Sequence, residues 1–294
     1  MAKEKMKKSM LSSVIPSLAS LAKRGLAGWL TVFGAILVAV IIVMTLISPW
    51  ITPYDPAQIE VGPLMIPPSS RYLFGTDDLG RDMLSRVLSG GSIMIQVAIL
   101  SVVVCFIIGV PLGLFSSYAG GVVDRFFCII MDSIYAFPGL VLAIAIAAML
   151  GRGVLNMAFS IAVVYIPSYF RVVRSQVLSI REMPYVEAAN AAGAKSRTIL
   201  FRYILPNVVP SIVVVATVNF ADAILTAAGL TFVGLGVSVN VPDWGWDLTN
   251  GRRLIFSGAW WVATFPGLMI ILLALGFTFM GEGLSELLNP RLEE

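Results

Sequence analysis

Two acidic residues of this 294-residue sequence lie inside long apolar runs, where an ionised side chain needs a special reason. Asp132 lies near one end of the run 126–150, and Asp222 lies near the middle of the run 208–236. On insertion scales a carboxylate within a membrane costs about 2.5–3.5 kcal/mol, so it normally faces a partner or water. The position of Asp132 favours an interfacial acid that pairs with Arg125 or another basic residue. For Asp222, a water-filled path and a polar contact between helices both remain open.

Other kinds of chemistry are excluded by the residue types. Histidine is absent, which excludes His-based triads and His-ligated metal sites within the chain. Cys105 and Cys128 lie in apolar runs and are typical of inert core thiols rather than of a disulfide or a metal pair. No nucleophile–base pair is evident, and no Gly-x-x-x-x-Gly-Lys-Ser/Thr loop is present. We therefore predict no catalytic, cofactor-binding or metal-binding residue, and no ATP site, in this chain.

One polar segment, 179–207, has the composition of two short helices rather than of a plain connector. Pro184 suits an early helix position, and the alanines of 188–192 give high helix propensity and a nearly smooth surface. Gly193 permits the positive φ that ends such a helix. A short helix with a smooth face is shaped to enter a groove on another protein.

The second helix of this segment is predicted from Ser196 to Leu205. Its apolar residues recur at i, i+1, i+4 and i+5 and share one face, namely Ile199, Leu200, Tyr203 and Ile204. Basic residues keep the rest of the segment polar, namely Lys195, Arg197 and Arg202. We expect two short helices, joined at a glycine, that lie against the membrane face.

The elements that position these residues are membrane-spanning helices. Hydrophobic residues make up 58% of the chain and charged residues 13%, against about 25% charged residues in soluble domains. The mean hydropathy is +0.90, which excludes an ordinary soluble enzyme, and the net charge of +3 without a dense basic patch gives no sign of nucleic-acid binding. Six continuous apolar runs approach or exceed the roughly 20 residues that a spanning helix needs. They are 28–48, 92–118, 126–150, 154–170, 208–236 and 259–281.

The distribution of basic residues sets the orientation of these spans. With six spans both termini share a side, which receives fourteen of the twenty Lys and Arg residues. Basic residues favour the cytoplasmic side, so both termini are predicted to be cytoplasmic. The predicted divisions are a cytoplasmic tail at 1–27, the first span at 28–48, an extracytoplasmic loop at 49–91, five further spans within 92–284, and a cytoplasmic tail at 285–294.

The polar segment carries the pattern of a known family. Glu187-Ala188-Ala189, then Gly193, and Leu205-Pro206 at the end resemble the "EAA" loop of binding-protein-dependent ABC importer permeases. In that family this loop is the coupling helix that docks into a cleft of the cytoplasmic ATPase. The resemblance implies an ATPase-coupling role for Glu187, Ala188, Ala189, Ala192, Gly193, Arg197, Leu205 and Pro206.

Further stretches are similar to the C-type permease of dipeptide, oligopeptide and nickel importers. The likeness runs from about Gly28 to the end of the chain, and its motifs are Phe74–Asp82, Tyr118–Arg125, Asp132–Pro138, Gly229–Gly236, Pro242–Gly245, Phe265–Gly267 and Asn289–Leu292. Two positions differ from the residues common in that family, since Tyr203 stands for His and Ala227 for Glu. Asp222 is therefore the only acid of the fifth span.

The resemblance implies an all-α polytopic membrane protein with six transmembrane helices and the type I ABC importer permease (MetI-like) fold. Residues 92–284 would form the transport core, with the coupling loop at 179–207. Asp222, Asp132 and Asn219 are the candidates for its translocation path or gate. The implied partners are a homologous second permease, two ABC ATPases that bind ATP and Mg, an extracytoplasmic solute-binding protein and membrane lipids.

The implied location is the cytoplasmic membrane of a bacterium or archaeon, and the expected cargo is a di- or oligopeptide, with nickel or another small solute as the alternative. Two other classes of function remain open. An ion-coupled secondary transporter, with Asp222 and Asp132 as ion ligands, would transport without any ATPase and would show inverted repeats. A membrane scaffold or receptor would show no flux at all. An intramembrane hydrolase is the least supported class.

Overall fold

The computed structural model describes residues 25–237 and 240–288, and within these ranges it contains helices and one isolated bridge but no strand. The helices are α1 (Gly25–Ile51), α2 (Met83–Ser89), α3 (Gly91–Ala119), α4 (Gly121–Tyr135), α5 (Gly139–Leu150), α6 (Val154–Arg181), α7 (Pro184–Ala191), α8 (Ser196–Thr198), α9 (Leu205–Phe232), α10 (Trp244–Leu254) and α11 (Trp261–Leu287). A π-helix, Ile199–Ile204, joins α8 to α9. Residues 1–24 and 289–294 of the predicted tails lie outside the described residues.

The long helices have the length and composition of membrane spans. Within the described ranges, the stretches that contain α1, α3, α6, α9 and α11 each meet both requirements, and the bent pair of α4 and α5 makes a sixth if it counts as one span. The predicted all-α, multi-span fold is therefore confirmed. The fourth span is longer than the predicted run 154–170, because α6 continues as a helix to Arg181.

The third predicted span, 126–150, is not one straight helix. The chain bends by 90° between α4 and α5, where Pro138 caps the start of α5 and is preceded by a short non-helical turn. Pro138 marks a helix boundary rather than a kink within a helix, because proline favours an extended residue before it. α5 alone is 12 residues long, which is too short to cross a membrane at 1.5 Å per residue.

The bundle has two distinct ends. We call the end that carries α7 the coupling side. At the other end, residues 52–90 and 240–258 form a polar structure that we call the lobe. The indole Nε1 of Trp261 in α11 donates to the carbonyl of Thr76 at 3.0 Å and so connects the bundle to the lobe. The indole Nε1 of Trp244 donates to the carbonyl of Val87 at 2.7 Å and joins the two segments of the lobe.

Glycines let the central helices approach closely, as the spacing of Gly109 and Gly113 predicts. A Cβ atom on Gly109 would lie 2.7 Å from the Cβ of Tyr169, and one on Gly113 would lie 2.9 Å from the Cβ of Val173. Both separations are below normal contact distance, so α3 and α6 pack nearly backbone to backbone. This pair of helices forms the rigid centre against which α7 and α9 are placed.

Gly34 fixes the first span to the last in the same way. A Cβ atom on Gly34 would lie 2.5 Å from the carbonyl oxygen of Gly276 and 2.8 Å from the backbone nitrogen of Met280. We expect Gly34→Leu to separate α1 from α11 and to destabilise the protein by about 1–3 kcal/mol, as overpacking does in cores. Thermal unfolding of the purified protein measures this loss. Ala39→Leu, on the exposed face of the same helix, is the matched control, and an equal loss in both variants contradicts the prediction.

Candidate functional site

The coupling side presents α7 as a short, well-delimited helix. Pro184 occupies its first turn, and Met183 precedes it in an extended conformation. Gly193 ends it with φ of +78°, and the backbone N–H groups of Gly193 and Ala194 donate to the carbonyls of Asn190 and Ala189 at 2.9 and 3.0 Å. This is a Schellman ending, for which glycine is the preferred residue. The predicted helix and its glycine stop are both present.

The segment after Gly193 differs from the expected second short helix. Ser196 to Phe232 runs as one continuous helical stretch, in which the π-helix Ile199–Ile204 connects α8 to α9. In this π turn Leu205 donates its N–H to the carbonyl of Leu200, five residues earlier, and the helical stretch continues past Pro206. The fifth span therefore begins at the coupling segment itself and not at Val208.

Most of the predicted coupling residues are accessible on this side. Glu187, Ala188, Ala192, Gly193, Arg197 and Pro206 are exposed, and Ala189 and Leu205 are partly exposed. The predicted apolar face is buried at Ile199, Leu200 and Ile204, while Tyr203 is half-buried. The segment thus exposes its small and charged residues and turns Ile199, Leu200 and Ile204 to the bundle, while Phe201 stays exposed.

One buried side chain anchors α7 to that apolar face. Val186 is 2% exposed and belongs to the same packed cluster as Ile199 and Leu200. Beside it lies a cleft of about 450 Å³ that is lined by Tyr118, Arg181, Glu182, Val186, Glu187, Asn190 and Ile199. The cleft lies between the coupling-side ends of α3 and α6 and the helix α7.

Asp132 lies on α4, on the coupling side of the bend. Its carboxylate accepts a hydrogen bond at 2.9 Å from Arg171 of α6, and both side chains are largely exposed. A second pair, between Asp124 of α4 and Arg174 of α6, is less exposed. Asp124 accepts three hydrogen bonds from Arg174, two from Nε at 2.9 and 3.1 Å and one from Nη2 at 2.8 Å. These contacts fix α4 to α6. They agree with the interfacial interpretation of Asp132, with Arg171 rather than Arg125 as its partner.

The two polar residues predicted for the middle of the fifth span have different surroundings. Asn219 is 4% exposed and faces the interior of the helix bundle. Asp222 is half-buried, and the neighbouring Val218 and Leu225 are 41% and 51% exposed. The structure does not bring Asp132 together with these residues, because Asp132 lies on α4 beyond the bend.

Buried charges in the lobe were missed by sequence reasoning. Arg86 is fully buried, and its Nε and Nη2 atoms lie 2.8 and 2.7 Å from Oδ1 of Asp247. Its Nη1 donates to the carbonyl of Pro56 at 2.9 Å. The two partners of the ion pair are 161 residues apart, so no local spacing in the sequence could indicate it.

The motif at 77–82 also belongs to the interior of the lobe. Arg81 and Asp82 could be interpreted as an ordinary surface pair, but both are 1% exposed. Arg81 pairs with Asp77, with Nε and Oδ2 at 2.6 Å. Asp82 instead caps α2, where its Oδ2 accepts hydrogen bonds from the backbone N–H and the hydroxyl of Ser85 at 2.8 and 2.7 Å.

Asp243 is a buried carboxyl at the start of α10. Its Oδ1 accepts a hydrogen bond from the N–H of Gly245 at 3.1 Å, and the hydroxyl of Thr231 lies close enough to the carboxyl to lower its pKa. Burial raises the pKa of Asp243 to about 7, and the nearby charge of Asp247 acts in the same direction. Arg86, the nearest cation that opposes this shift, is already paired with Asp247.

This raised pKa predicts a dependence of stability on pH. An unfolded Asp has a pKa of about 3.8, so between about pH 4 and 7 the folded chain holds a proton that the unfolded chain releases. The stability of the wild type should therefore fall as the pH rises through this range, and should change little from this group above pH 7. We expect Asp243→Asn to abolish this fall, because the amide keeps the contact with Gly245 and carries no charge.

Thermal unfolding at pH 5 and pH 8 measures the effect of Asp243→Asn. The substitution should stabilise the protein more at pH 8 than at pH 5. Asp55→Asn, which changes an exposed acid near the lobe surface, should show no such difference. An equal shift for Asp243→Asn at both pH values contradicts the predicted proton.

Comparison with known proteins identifies the architecture. Residues 109–294 match the family described as the binding-protein-dependent transport system inner membrane component. The chain belongs to this family. Residues 28–68 of this permease also match the N-terminal transmembrane domain of oligopeptide transport permease C, and they contain most of α1 and the first part of the lobe.

Relatives of the permease cover most of its length. It is 39% identical over 266 residues to a di/tripeptide transport permease of Pseudomonas aeruginosa, with 88% of each chain covered. It is 39% identical over 262 residues to a probable D,D-dipeptide permease of Escherichia coli, with 89% of this chain and 88% of the relative covered. A glutathione permease of Pectobacterium atrosepticum is 39% identical over 272 residues, with 92% and 90% covered.

Solved structures support the same fold. The MetNI methionine ABC transporter, in an inward-facing conformation, matches with a TM-score of 0.55 and 19% identity, over 70% of this chain and 98% of that chain. A second crystal form of that transporter gives a TM-score of 0.53. The MetI-like fold expected from the sequence is therefore confirmed, and the protein is an inner-membrane permease subunit of an ABC importer.

Proposed function

We propose that this permease forms half of the translocation passage of an ATP-driven importer of di- or oligopeptides. The observation that carries the proposal is the arrangement of α7, which exposes small residues, is anchored by Val186, and is followed, after the turn at 192–195, by a helical stretch that is continuous with α9. The transported peptide is supported by the names of the relatives, which are di/tripeptide, D,D-dipeptide and glutathione permeases.

The proposed assembly contains a homologous second permease, two ATPases on the coupling side and a solute-binding protein on the lobe side. In this arrangement both termini and α7 are cytoplasmic, and the lobe is extracytoplasmic. We keep the division of the chain that the sequence predicts. It consists of a cytoplasmic tail at 1–27, the first span at 28–48, an extracytoplasmic loop at 49–91, five further spans within 92–284 and a cytoplasmic tail at 285–294. ATP and Mg are bound by the ATPases, since this chain has no P-loop.

The proposed mechanism is alternating access. Closure of the ATPases around ATP moves α7, which they contact at Glu187 and at the exposed alanines. Because the π-helix and α9 continue the segment after Gly193, the displacement reaches the middle of the fifth span. α9 then moves relative to the compact pair of α3 and α6, which opens one end of the passage as the other closes.

Reconstitution tests this proposal. The chain in vesicles alone should carry no peptide. The complete assembly with its second permease, ATPases and binding protein should accumulate radiolabelled dialanine with ATP and not with ADP. Uptake by the chain alone would overturn the ATP-coupled mechanism, and an assembly that hydrolyses ATP in response to the binding protein without moving any peptide would overturn the peptide cargo.

A further inference from the structure

Asp222 lies in the middle of a membrane span and has no ion-pair or hydrogen-bond partner among the residues that the structure describes. Among the described residues none of the ion pairs includes it, and no side chain donates a hydrogen bond to its carboxylate. Among the other charged residues of the long helices, Arg171 and Arg174 of α6 each pair with an acid of α4, and Glu282 and Glu286 lie in the last two turns of α11. An isolated carboxylate at this depth requires water or a cation from outside the chain.

The bend between α4 and α5 leaves the surface around Asp222 open. A Cβ atom on Gly229 would lie 3.0 Å from Cδ1 of Leu140, so α5 covers α9 at that level. Asp222 lies two turns nearer the coupling side, where the chain has turned by 90° into α4. The exposed residues beside it, Val218 and Leu225, complete what we call the open face of α9.

A hydroxyl pair borders the open face. The hydroxyls of Tyr165 and Thr226 lie 2.9 Å apart and connect α6 to α9. Thr226 follows Asp222 by four residues and so lies above it on the same side of the helix. The carboxylate of Asp222 thus lies beside the exposed apolar side chains of Val218 and Leu225 and next to this hydroxyl pair, which suits a small molecule with one cationic end.

We propose that Asp222 is a specificity-determining residue of the passage and receives the N-terminal ammonium group of a peptide in transit. This inference depends on the proposed peptide cargo. A charge-assisted hydrogen bond between ammonium and carboxylate is among the stronger polar contacts in proteins. This contact would hold the amino end of the peptide at the open face of α9. The apolar residues of that face, Val218 and Leu225, would then contact peptide side chains of varied size.

The test compares dialanine with N-acetyldialanine, which lacks the ammonium group, in the complete importer in vesicles. The measured quantity is the ratio of the two uptake rates at equal concentration in the wild type and in Asp222→Asn. Both importers use the same binding protein, so its own preference cancels in the comparison. We expect the wild-type preference for dialanine to fall about tenfold in Asp222→Asn, as the loss of one charge-assisted hydrogen bond predicts.

Two further variants make the result specific. Asp222→Glu keeps the charge and should retain most of the preference. Glu286→Gln removes an exposed acid at the coupling end of α11 and should behave as the wild type. Stimulation of ATP hydrolysis by the binding protein should survive in Asp222→Asn, which separates cargo recognition from a structural role.

Two outcomes overturn the inference. An unchanged preference in Asp222→Asn shows that the ammonium group is recognised elsewhere. Loss of assembly together with equal loss of both uptake rates shows that Asp222 pairs with a cation of the second permease. If the wild type moves neither peptide, the proposed cargo itself has failed, and this inference fails with it.

Discussion

Replacing Arg86 by methionine is expected to lower the stability of the permease so far that most of the protein no longer folds. The guanidinium is fully buried and contacts Asp247 through Nε and Nη2 and the carbonyl of Pro56 through Nη1. Methionine has a similar length but no charge, so the carboxylate of Asp247 would be left buried without its cation. Removal of one partner from a buried ion pair costs about 3–5 kcal/mol, which is a large part of the stability of an ordinary domain.

Size-exclusion chromatography of detergent extracts after heating measures this loss. Arg71→Met removes an exposed arginine that lies over the ring of Tyr72 and should cost little. The double variant Arg86→Met with Asp247→Leu should recover part of the stability, because it removes the unpaired charge as well. Equal stability of Arg86→Met and Arg71→Met would contradict the assigned role of the pair.

A tryptophan at Ala188 is expected to abolish ATP-driven transport without unfolding the permease. Ala188 is exposed on α7, so a larger side chain meets solvent in the isolated chain and, in the proposed assembly, the ATPase. An interface packed as closely as a protein core has no space for an indole, and overpacking costs roughly 1–3 kcal/mol or more. We expect at least a tenfold loss of dialanine uptake, which corresponds to about 1.4 kcal/mol.

The control for this result is the smaller substitution at the same position. Ala188→Ser adds one atom and should transport nearly as the wild type does. The elution profile of the Ala188→Trp permease should be unchanged, because Val186 and not Ala188 anchors the helix in the core. Normal uptake by the Ala188→Trp permease would mean that the ATPase does not contact α7 at Ala188.

Helix content and most span positions follow from the sequence because long apolar runs have few other stable forms in a membrane. The bend at Pro138 was harder to predict from the sequence, since a proline inside an apolar run indicates a kink and a helix boundary about equally well. The signal that could have revealed it is the spacing of Asp124 and Asp132 on α4, which are eight residues apart and face two arginines of α6. A helix with two acids on one side is typical of an interface rather than of a lipid-embedded span.

The coupling segment was predictable in its first half and not in its second. Pro184 and Gly193 act locally, through backbone geometry, and such signals can be recognised in a sequence. The π-helix depends on packing of Ile199 and Ile204 against the bundle, and no rule of spacing distinguishes it from a helix that stops before Pro206. The buried charges of the lobe were inaccessible for a related reason, because their partners are far apart in the chain.

The long sequence separation between Arg86 and Asp247 has a consequence for the synthesis of the permease. Ribosomes add about 5–20 residues per second, and 161 residues separate Arg86 from Asp247, so the arginine emerges roughly 10–30 s before its carboxylate exists. Thr76 and Trp261 are 185 residues apart and meet later still. Nascent chains that stall before residue 247 therefore carry the Arg86 guanidinium without the carboxylate that neutralises it in the finished permease.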